Sequence, residues 1–244
     1  TIYGNATLDY QLFKDLSLRT LIGYTNDVDR NEEFNSSKTR GGSPYTVTGR
    51  VNGVNGSILF NTTNSYVSEN TLNYSKQFTK KSRLDGVAGF TFQGVQKIIF
   101  GAAATKLPNE QLGLNGLDEG TPSKVSSSRT KNTLASALAR VNYNYDSRYL
   151  ATLSFRADGS SKFSPSNKWS FFPSASFAWR LSQEKWLKNS KIINDAKLRT
   201  SFGLMGNNRV SDFAYLSTLN SPITQAYPFN GTLNSSTVPY TLGN

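Results

Sequence analysis

The feature that most constrains this chain is an alternation of residue character with a period of two. Trp169, Phe171, Pro173, Ala175, Phe177, Trp179 and Leu181 share one parity, and Ser170, Phe172, Ser174, Ser176, Ala178, Arg180 and Ser182 share the other. Successive side chains of an extended strand point to opposite faces, so one face here is apolar and aromatic while the other is small or polar. The division recurs as Tyr149, Ala151, Leu153 and Phe155 against Thr152, Ser154 and Arg156. It recurs again as Leu16, Leu18, Ile22 and Tyr24 against Ser17, Arg19, Gly23 and Thr25, and as Leu84, Ala88, Phe90 and Phe92 against Arg83, Asp85, Thr91 and Gln93. Such a chain folds as antiparallel sheet.

Turn residues divide the pattern into about eight strands: Asn5 to Phe13, Leu16 to Thr25, Tyr66 to Phe78, Arg83 to Val95, Asn132 to Tyr145, Tyr149 to Ala157, Trp169 to Leu181 and Ala196 to Met205. Most are roughly 9 to 13 residues long, the length a tilted strand needs to cross a bilayer. A soluble β-sandwich would bury the apolar parity, whereas a membrane barrel would turn it to lipid. The connections separate the two. Lys14 to Asp15, Thr79 to Ser82 and Asp146 to Arg148 are short, while Asn26 to Ser65, Gln96 to Lys131, Asp158 to Lys168 and the segment from Gly206 onward are longer. Short turns at one rim and long loops at the other are the outer-membrane pattern. The expected fold is therefore all-β, an antiparallel transmembrane β-barrel of which residues 1–244 supply part. Pro173 has no N–H for a ladder, so a bulge or a position near the rim is expected there. Gln183 to Asp195 is expected to add a short helical segment at the barrel end.

Composition closes off other classes. No run approaches the roughly 18 apolar residues of a spanning helix, which excludes a helical membrane protein. The net charge of +11 is scattered, with no basic block longer than Lys80 and Lys81, so nucleic acid is not an expected partner. Cysteine and histidine are absent. That removes disulfides, thiolate nucleophiles, His-containing triads and Cys or His zinc sites, so no catalytic group, cofactor or metal is expected. The lack of cysteine suits an exported bacterial protein. Thr1 opens directly into polar, β-type sequence, which reads as a mature chain or an internal piece. Asp27, Asp29 and Asn31 imitate the start of a calcium loop, but Glu32 stands where Gly is needed and Lys38 where the bidentate Glu belongs, so a solvated loop is expected.

Residues 149–187 read YLATLSFRADGSSKFSPSNKWSFFPSASFAWRLSQEKWL. This stretch resembles the signature of the SusC/RagA family, in which an RYL strand enters a DGSS-[RK]-F loop and returns through FPS to a WR-S-E turn. Arg148, Tyr149 and Leu150 match first, then Arg156, Asp158, Gly159, Ser160, Ser161, Lys162 and Phe163, then Phe172, Pro173, Ser174, Trp179, Arg180, Ser182 and Glu184. Ile193 to Asp195, Lys197 to Arg199, Ser201 to Gly203, Gly206 and Asn207 are similar to the family's following strand, and Glu69 to Tyr74 and Ala88 to Phe92 to an upstream hairpin. Ala157, Ser164 and Ala178 depart from the pattern. Asp158 and Gly159 are expected to form a tight turn, with Asp158 accepting from the N–H groups of Ser160 and Ser161.

The resemblance implies an internal section of a much larger barrel in the outer membrane of a Gram-negative bacterium, with the plug, the TonB-contacting segment and the last strands lying elsewhere. It implies import of oligosaccharides or peptides, driven through TonB and capped by a SusD-like lipoprotein. Tyr45, Tyr66, Tyr215, Tyr227 and Phe229 are the candidate loop aromatics for stacking on sugar faces or peptide groups, or for anchoring loops on one another. Arg19, Arg156, Arg180 and Arg199, on the polar parity, are expected to meet acidic lumen or plug residues. A secreted β-sandwich that binds glycans as a lectin or adhesin is the competing function.

Overall fold

Eight strands form one sheet in the computed structural model: β1 (Ile2–Phe13), β2 (Leu16–Asn35), β3 (Asn55–Thr79), β4 (Ser82–Thr105), β5 (Thr121–Tyr145), β6 (Tyr149–Ser160), β7 (Trp169–Arg180) and β8 (Lys197–Gly203). Each pairs with its neighbours in sequence and the sheet is open, with β1 and β8 at its edges. The structure describes residues 1–187, 192–216, 218–220, 227–229, 232–234 and 238–241, with the side chains of 217–244 outside the description. Beyond the main sheet, β9 (Thr218–Asn220) pairs with β12 (Val238–Thr241), and β10 (Tyr227–Phe229) with β11 (Thr232–Asn234). The one α-helix among the described residues is α1 (Val47–Asn52), capped by the Thr46 side chain on the N–H of Gly49. No described helix is long and apolar enough to cross a membrane.

The expected strands are all present, but several are longer than expected. β2, β3, β4 and β5 run for 20, 25, 24 and 25 residues. Residues 26–35, 55–65, 96–105 and 121–131, expected as loop, are therefore strand, and the calcium-like residues Asp27, Asp29 and Asn31 lie within β2. Residues 26–35, 55–65 and 121–131 are rich in Asn, Thr, Ser and charged residues, whereas 96–105 carries Ile98, Ile99, Phe100 and the buried Ala104. A strand keeps its backbone ladder without a strict apolar alternation, and where that alternation lapses the signal used to delimit the strand disappears.

The chain divides into two units. One comprises Thr1–Ala6, Ile22–Val67 and Gln93–Lys131 and contains the connections 36–54 and 106–120; the other comprises Thr7–Leu21, Ser68–Phe92 and Asn132–Asn244 and contains the short turns 14–15, 80–81 and 146–148. Buried apolar residues among those described are only Ala104, Leu107 and Ala157. A soluble sandwich of this length would bury one parity of every strand, yet here the apolar parity is open.

Pro173 corrects an expectation. The β6–β7 register runs unbroken through Phe155↔Pro173, with no bulge. The carbonyl of Pro173 accepts from the N–H of Leu204 at 3.1 Å, so its missing donor points to the β8 side. The β7–β8 ladder ends one residue away, at Ser174↔Gly203. The proline thus sits mid-strand where its partner strand stops, so the donor it lacks falls at the end of the ladder, opposite Leu204. In the segment expected to be helical, the 3₁₀ turn at Leu181–Gln183 is followed by a hydrogen-bonded turn in which Leu187 N donates to Glu184 O at 3.0 Å, and 188–191 lie outside the described residues.

Candidate functional site

Directly opposed residues of an antiparallel pair share a face, so the strand register converts parity into rows. Across β5 to β8 one face carries Tyr145, Tyr149, Trp179 and Leu198, then Tyr143, Ala151, Phe177 and Thr200, then Val141, Leu153, Ala175 and Phe202, then Ala139, Phe155 and Pro173. Phe171 and Trp169 complete it, opposite Ala157 and Gly159. The large members stay exposed: Leu153 63%, Phe171 58%, Phe202 74%. The reverse face carries Asn142, Thr152, Ser176 and Ser201, then Arg140, Ser154, Ser174 and Gly203, then Leu138, Arg156 and Phe172. The parities read from the sixth and seventh strands coincide with these faces.

Amphipathic aromatics mark both ends of the apolar rows. Tyr145, Tyr149 and Trp179 stack in sequence with ring centroids 6.4 Å apart at each step. At the other end of β7 stands Trp169. About ten residues separate the two tryptophans, which at ~3.3 Å per residue is ~33 Å along the strand. With a tilt of ~40° the height between them is ~25 Å, the height of the apolar band that aromatic girdles flank in outer-membrane barrels.

The WR-S-E residues build a latch at the short-turn end. Glu184 follows the Leu181–Gln183 turn, its N–H donating to Leu181 O at 3.0 Å. Its carboxylate accepts from Trp179 Nε1 at 3.0 Å and Tyr149 Oη at 2.8 Å, and meets Arg148 Nη1 at 3.4 Å. The Trp179 and Tyr149 hydrogen bonds, helped by the Arg148 charge and opposed by desolvation, hold the carboxyl below its ordinary pKa. Arg148 also binds Asp146 at 3.1 Å, and Asp146 meets Lys81 at 3.7 Å. Ser182 is buried, with its hydroxyl on Asp195 at 2.9 Å and its N–H on Ala196 O at 3.1 Å. The latch joins β6, β7 and the approach to β8.

The DGSS residues serve differently from expectation. Asp158 and Gly159 lie inside β6, not in a tight turn, and Gly159 has no positive φ. Asp158 accepts from Arg156 Nε at 2.7 and 2.9 Å, and Arg156 also reaches the buried Ser136 at 3.2 Å. Gly159 sits opposite Trp169, whose ring atoms lie 2.8–2.9 Å from where a Cβ would stand. The glycine is required by that close approach, which a single sequence does not display. The bend comes after it: Ser160 N donates to Lys168 O and Ser161 N to Thr133 O, both at 3.0 Å, and Phe163 N to Ser160 O at 3.4 Å. Lys162 reaches across to Val210 O at 3.1 Å and Asp212 at 3.8 Å.

In the other unit the connections 36–54 and 106–120 clasp each other. Glu110 accepts from Ser37 N at 2.8 Å and Ser37 Oγ at 3.0 Å, which lowers its pKa. Lys106 N donates to Asn52 O at 2.7 Å and Leu107 N to Val54 O at 2.9 Å. Sequence reasoning missed Glu110, because no pattern links it to a serine 73 positions away.

The five aromatics do not gather as one described site. Tyr45 is 94% exposed beside α1. Tyr66, the expected first residue of the third strand, lies within β3 with its ring packed on Gly94. Tyr215 is half-buried and belongs to the other unit. The backbones of Tyr227 and Phe229 lie in β10, and their side chains lie outside the described residues. Of the four polar-parity arginines, Arg19 meets Asp9 at 3.7 Å and Arg156 meets Asp158, both acids of the wall itself. Arg180 and Arg199 have no carboxylate partner among the described residues.

No family model matches the chain. Among curated proteins, it is 33% identical over 225 residues to TonB-dependent receptor P3 of Formosa agariphila, covering 91% of this chain and 21% of that receptor. It is 30% identical over 221 residues to TonB-dependent receptor P39 of the same organism, covering 90% of this chain and 21% of that protein. To TonB-dependent receptor SusC of Bacteroides thetaiotaomicron it is 42% identical over 113 residues, 45% of this chain and 11% of SusC. The structure of the RagAB peptide transporter superposes with a TM-score of 0.79 at 20% identity, over 99% of this chain and 26% of that one. The chain thus spans about a fifth of the length of the full-length receptors it matches over most of its own length. Its motif, its open eight-stranded meander and these relatives agree, and the chain is a section of a TonB-dependent receptor of the SusC/RagA type.

Proposed function

We propose that residues 1–244 form part of the barrel wall of an outer-membrane importer that takes up oligosaccharides or peptides with energy from TonB and works with a SusD-like surface lipoprotein. The observation that carries this reading is the apolar face of β5 to β8, aligned row by row and open to its surroundings. In water such a face is an association hazard; against lipid it is the required surface. In this reading the connections 36–54 and 106–120 face outward, and Tyr45 meets the lid or the substrate. The polar face lines the lumen.

The test uses the full-length receptor that carries this section, expressed in a Gram-negative host. It should fractionate with the outer membrane, migrate faster on cold than on boiled gels, and support TonB-dependent uptake of an oligosaccharide or peptide. Recovery as a soluble periplasmic monomer without detergent would overturn the reading.

A further inference from the structure

We infer that Lys80, Lys81 and Lys185, with Trp186 beside them, form a docking site on the short-turn rim for the phosphate headgroup of an anionic phospholipid. The inference rests on the wall reading above, in which this rim meets the periplasmic leaflet, the phospholipid side of a Gram-negative outer membrane.

The rim is fastened together where these residues stand. Thr79 Oγ1 accepts from the N–H groups of Lys81 and Ser82 at 3.2 and 3.1 Å, which fixes the turn between β3 and β4. That turn is tied to the next, since Asp146 N donates to Lys81 O at 2.6 Å, and Arg180 N of β7 donates to Arg148 O at 2.8 Å. Past β7, the bond from Leu187 N to Glu184 O closes a turn whose two central residues are Lys185 and Trp186. Both are exposed, Trp186 at 67%. The turn lies on the apolar side of the sheet, because the Glu184 carboxylate that opens it is held by Tyr149 and Trp179 of that face. Ser82, next to Lys81, likewise donates to Tyr143 Oη of the apolar face at 3.0 Å. The lysines therefore stand just beyond the aromatic end of the lipid-facing rows.

The charge at this corner is unbalanced in one direction. Arg148 takes both acids, Asp146 at 3.1 Å and Glu184 at 3.4 Å, while Lys81 stands 3.7 Å from Asp146, beyond hydrogen-bond length. Lys81 thus keeps its donors, on a side chain that is 62% exposed. Lys80 and Lys185 are exposed and have no carboxylate partner among the described residues. Residues 188–191 add Lys188 and Lys191 to the sequence here, and no acid. A lysine stem lies along apolar surface while its ammonium stays at the polar boundary, and an indole favours the same boundary. An anionic phospholipid meets all of these demands: its phosphate accepts from the ammonium groups, and its glycerol and first methylenes lie against Trp186 and the tyrosines. A soluble acidic partner would reach the lysines only by displacing headgroups that already lie at this level.

The experiment uses the full-length receptor in phosphatidylcholine vesicles, with a fluorophore on Leu187→Cys as the sole labelled position. A fixed mole fraction of lipid brominated high on its chains is included, as phosphatidylglycerol in one series and as phosphatidylcholine in the other. Brominated phosphatidylglycerol should quench severalfold more than brominated phosphatidylcholine, and the preference should shrink as salt screens it. Lys80→Gln/Lys81→Gln/Lys185→Gln should abolish the preference and the corresponding Lys→Arg variant should keep it. Lys185→Gln alone, outside every strand, should lower it even where the triple variant fails to assemble. Equal quenching by the two lipids, a preference unchanged by the glutamine substitutions, or no quenching by either lipid would overturn the inference while leaving the wall reading standing. So would loss of the preference to inorganic phosphate beyond that caused by chloride at equal ionic strength, which would assign the lysines to a free anion. A receptor absent from the outer membrane would overturn both.

Discussion

The indole N–H of Trp179 donates to the carboxylate of Glu184 at 3.0 Å, closing the end of β7 onto the turn that follows it. Tyr149 from β6 donates to the same oxygen at 2.8 Å, so one carboxylate ties two strands. The contact gives Trp179 and Glu184, five residues apart, a shared structural role, while Ser182 between them bonds Asp195 at 2.9 Å.

Glu184→Ala should lower the urea midpoint of the full-length barrel and its folded yield, and Glu184→Gln should lie between wild type and Glu184→Ala, because the amide still accepts from Trp179 but loses Arg148. The folded-state pKa of Glu184 is depressed, so its stabilisation is present above the carboxyl's ordinary value and is lost as pH falls through the depressed one. Urea midpoints taken from neutral to acid pH should therefore converge for wild type and Glu184→Gln at the acid end.

Gly159→Ala should destabilise by about 1–3 kcal/mol, since its methyl group must displace the Trp169 ring. The same change at Gly4, where nothing lies within 4 Å of a new Cβ, should be much milder. Adding Trp169→Ala should relieve much of the Gly159→Ala penalty, and a double-mutant cycle by chemical denaturation measures the coupling.

Glu110→Ala should free the connection 36–54 from 106–120. Hydrogen exchange at the Ser37 amide should quicken and protease cleavage within 36–54 should increase, with the gel shift of the barrel unchanged. Acidification of the wild type below the depressed Glu110 pKa should lower the protection of the Ser37 amide relative to its intrinsic exchange rate at the same pH.

Lipid exposure predicts a gradient with depth. Midway between Trp169 and Trp179 lies the row of Leu153 and Ala175, so Leu153→Arg should cost about 2–4 kcal/mol. Phe177, one row from the Trp179 girdle, should cost less on the same change, and Ser176→Arg on the polar face should leave folding intact. Folded fractions on cold gels after refolding into vesicles give the order.

The strands from β5 to β8 were legible because an apolar face and a polar face write opposite chemistries onto alternate residues, as from Trp169 to Trp179. The first half of β5, 121–131, was not legible, because it is exposed on both faces and carries no alternation. The WR-S-E motif was recognisable, but its chemistry required Arg148 and Tyr149 to arrive from another strand. Asp158 and Gly159 misled because Asp-Gly suits a turn, whereas here the acid holds Arg156 and the glycine admits Trp169. Pro173 misled for a related reason: a proline is tolerable mid-strand when its neighbour strand ends, and that ending at Gly203 is a tertiary fact.

The central claim, that one face of this sheet meets lipid and the other does not, is tested most directly by nitroxide spin labels at positions 153 and 152 of the full-length receptor in bilayers. Collision with oxygen, which partitions into lipid, and with a water-soluble nickel chelate is read by power saturation. The label at 153 should be strongly relaxed by oxygen and shielded from nickel, and the label at 152 should show the lower oxygen-to-nickel ratio of a polar surrounding. Equal protection of position 153 from both reagents would place Leu153 in a packed protein core and contradict the membrane-wall account.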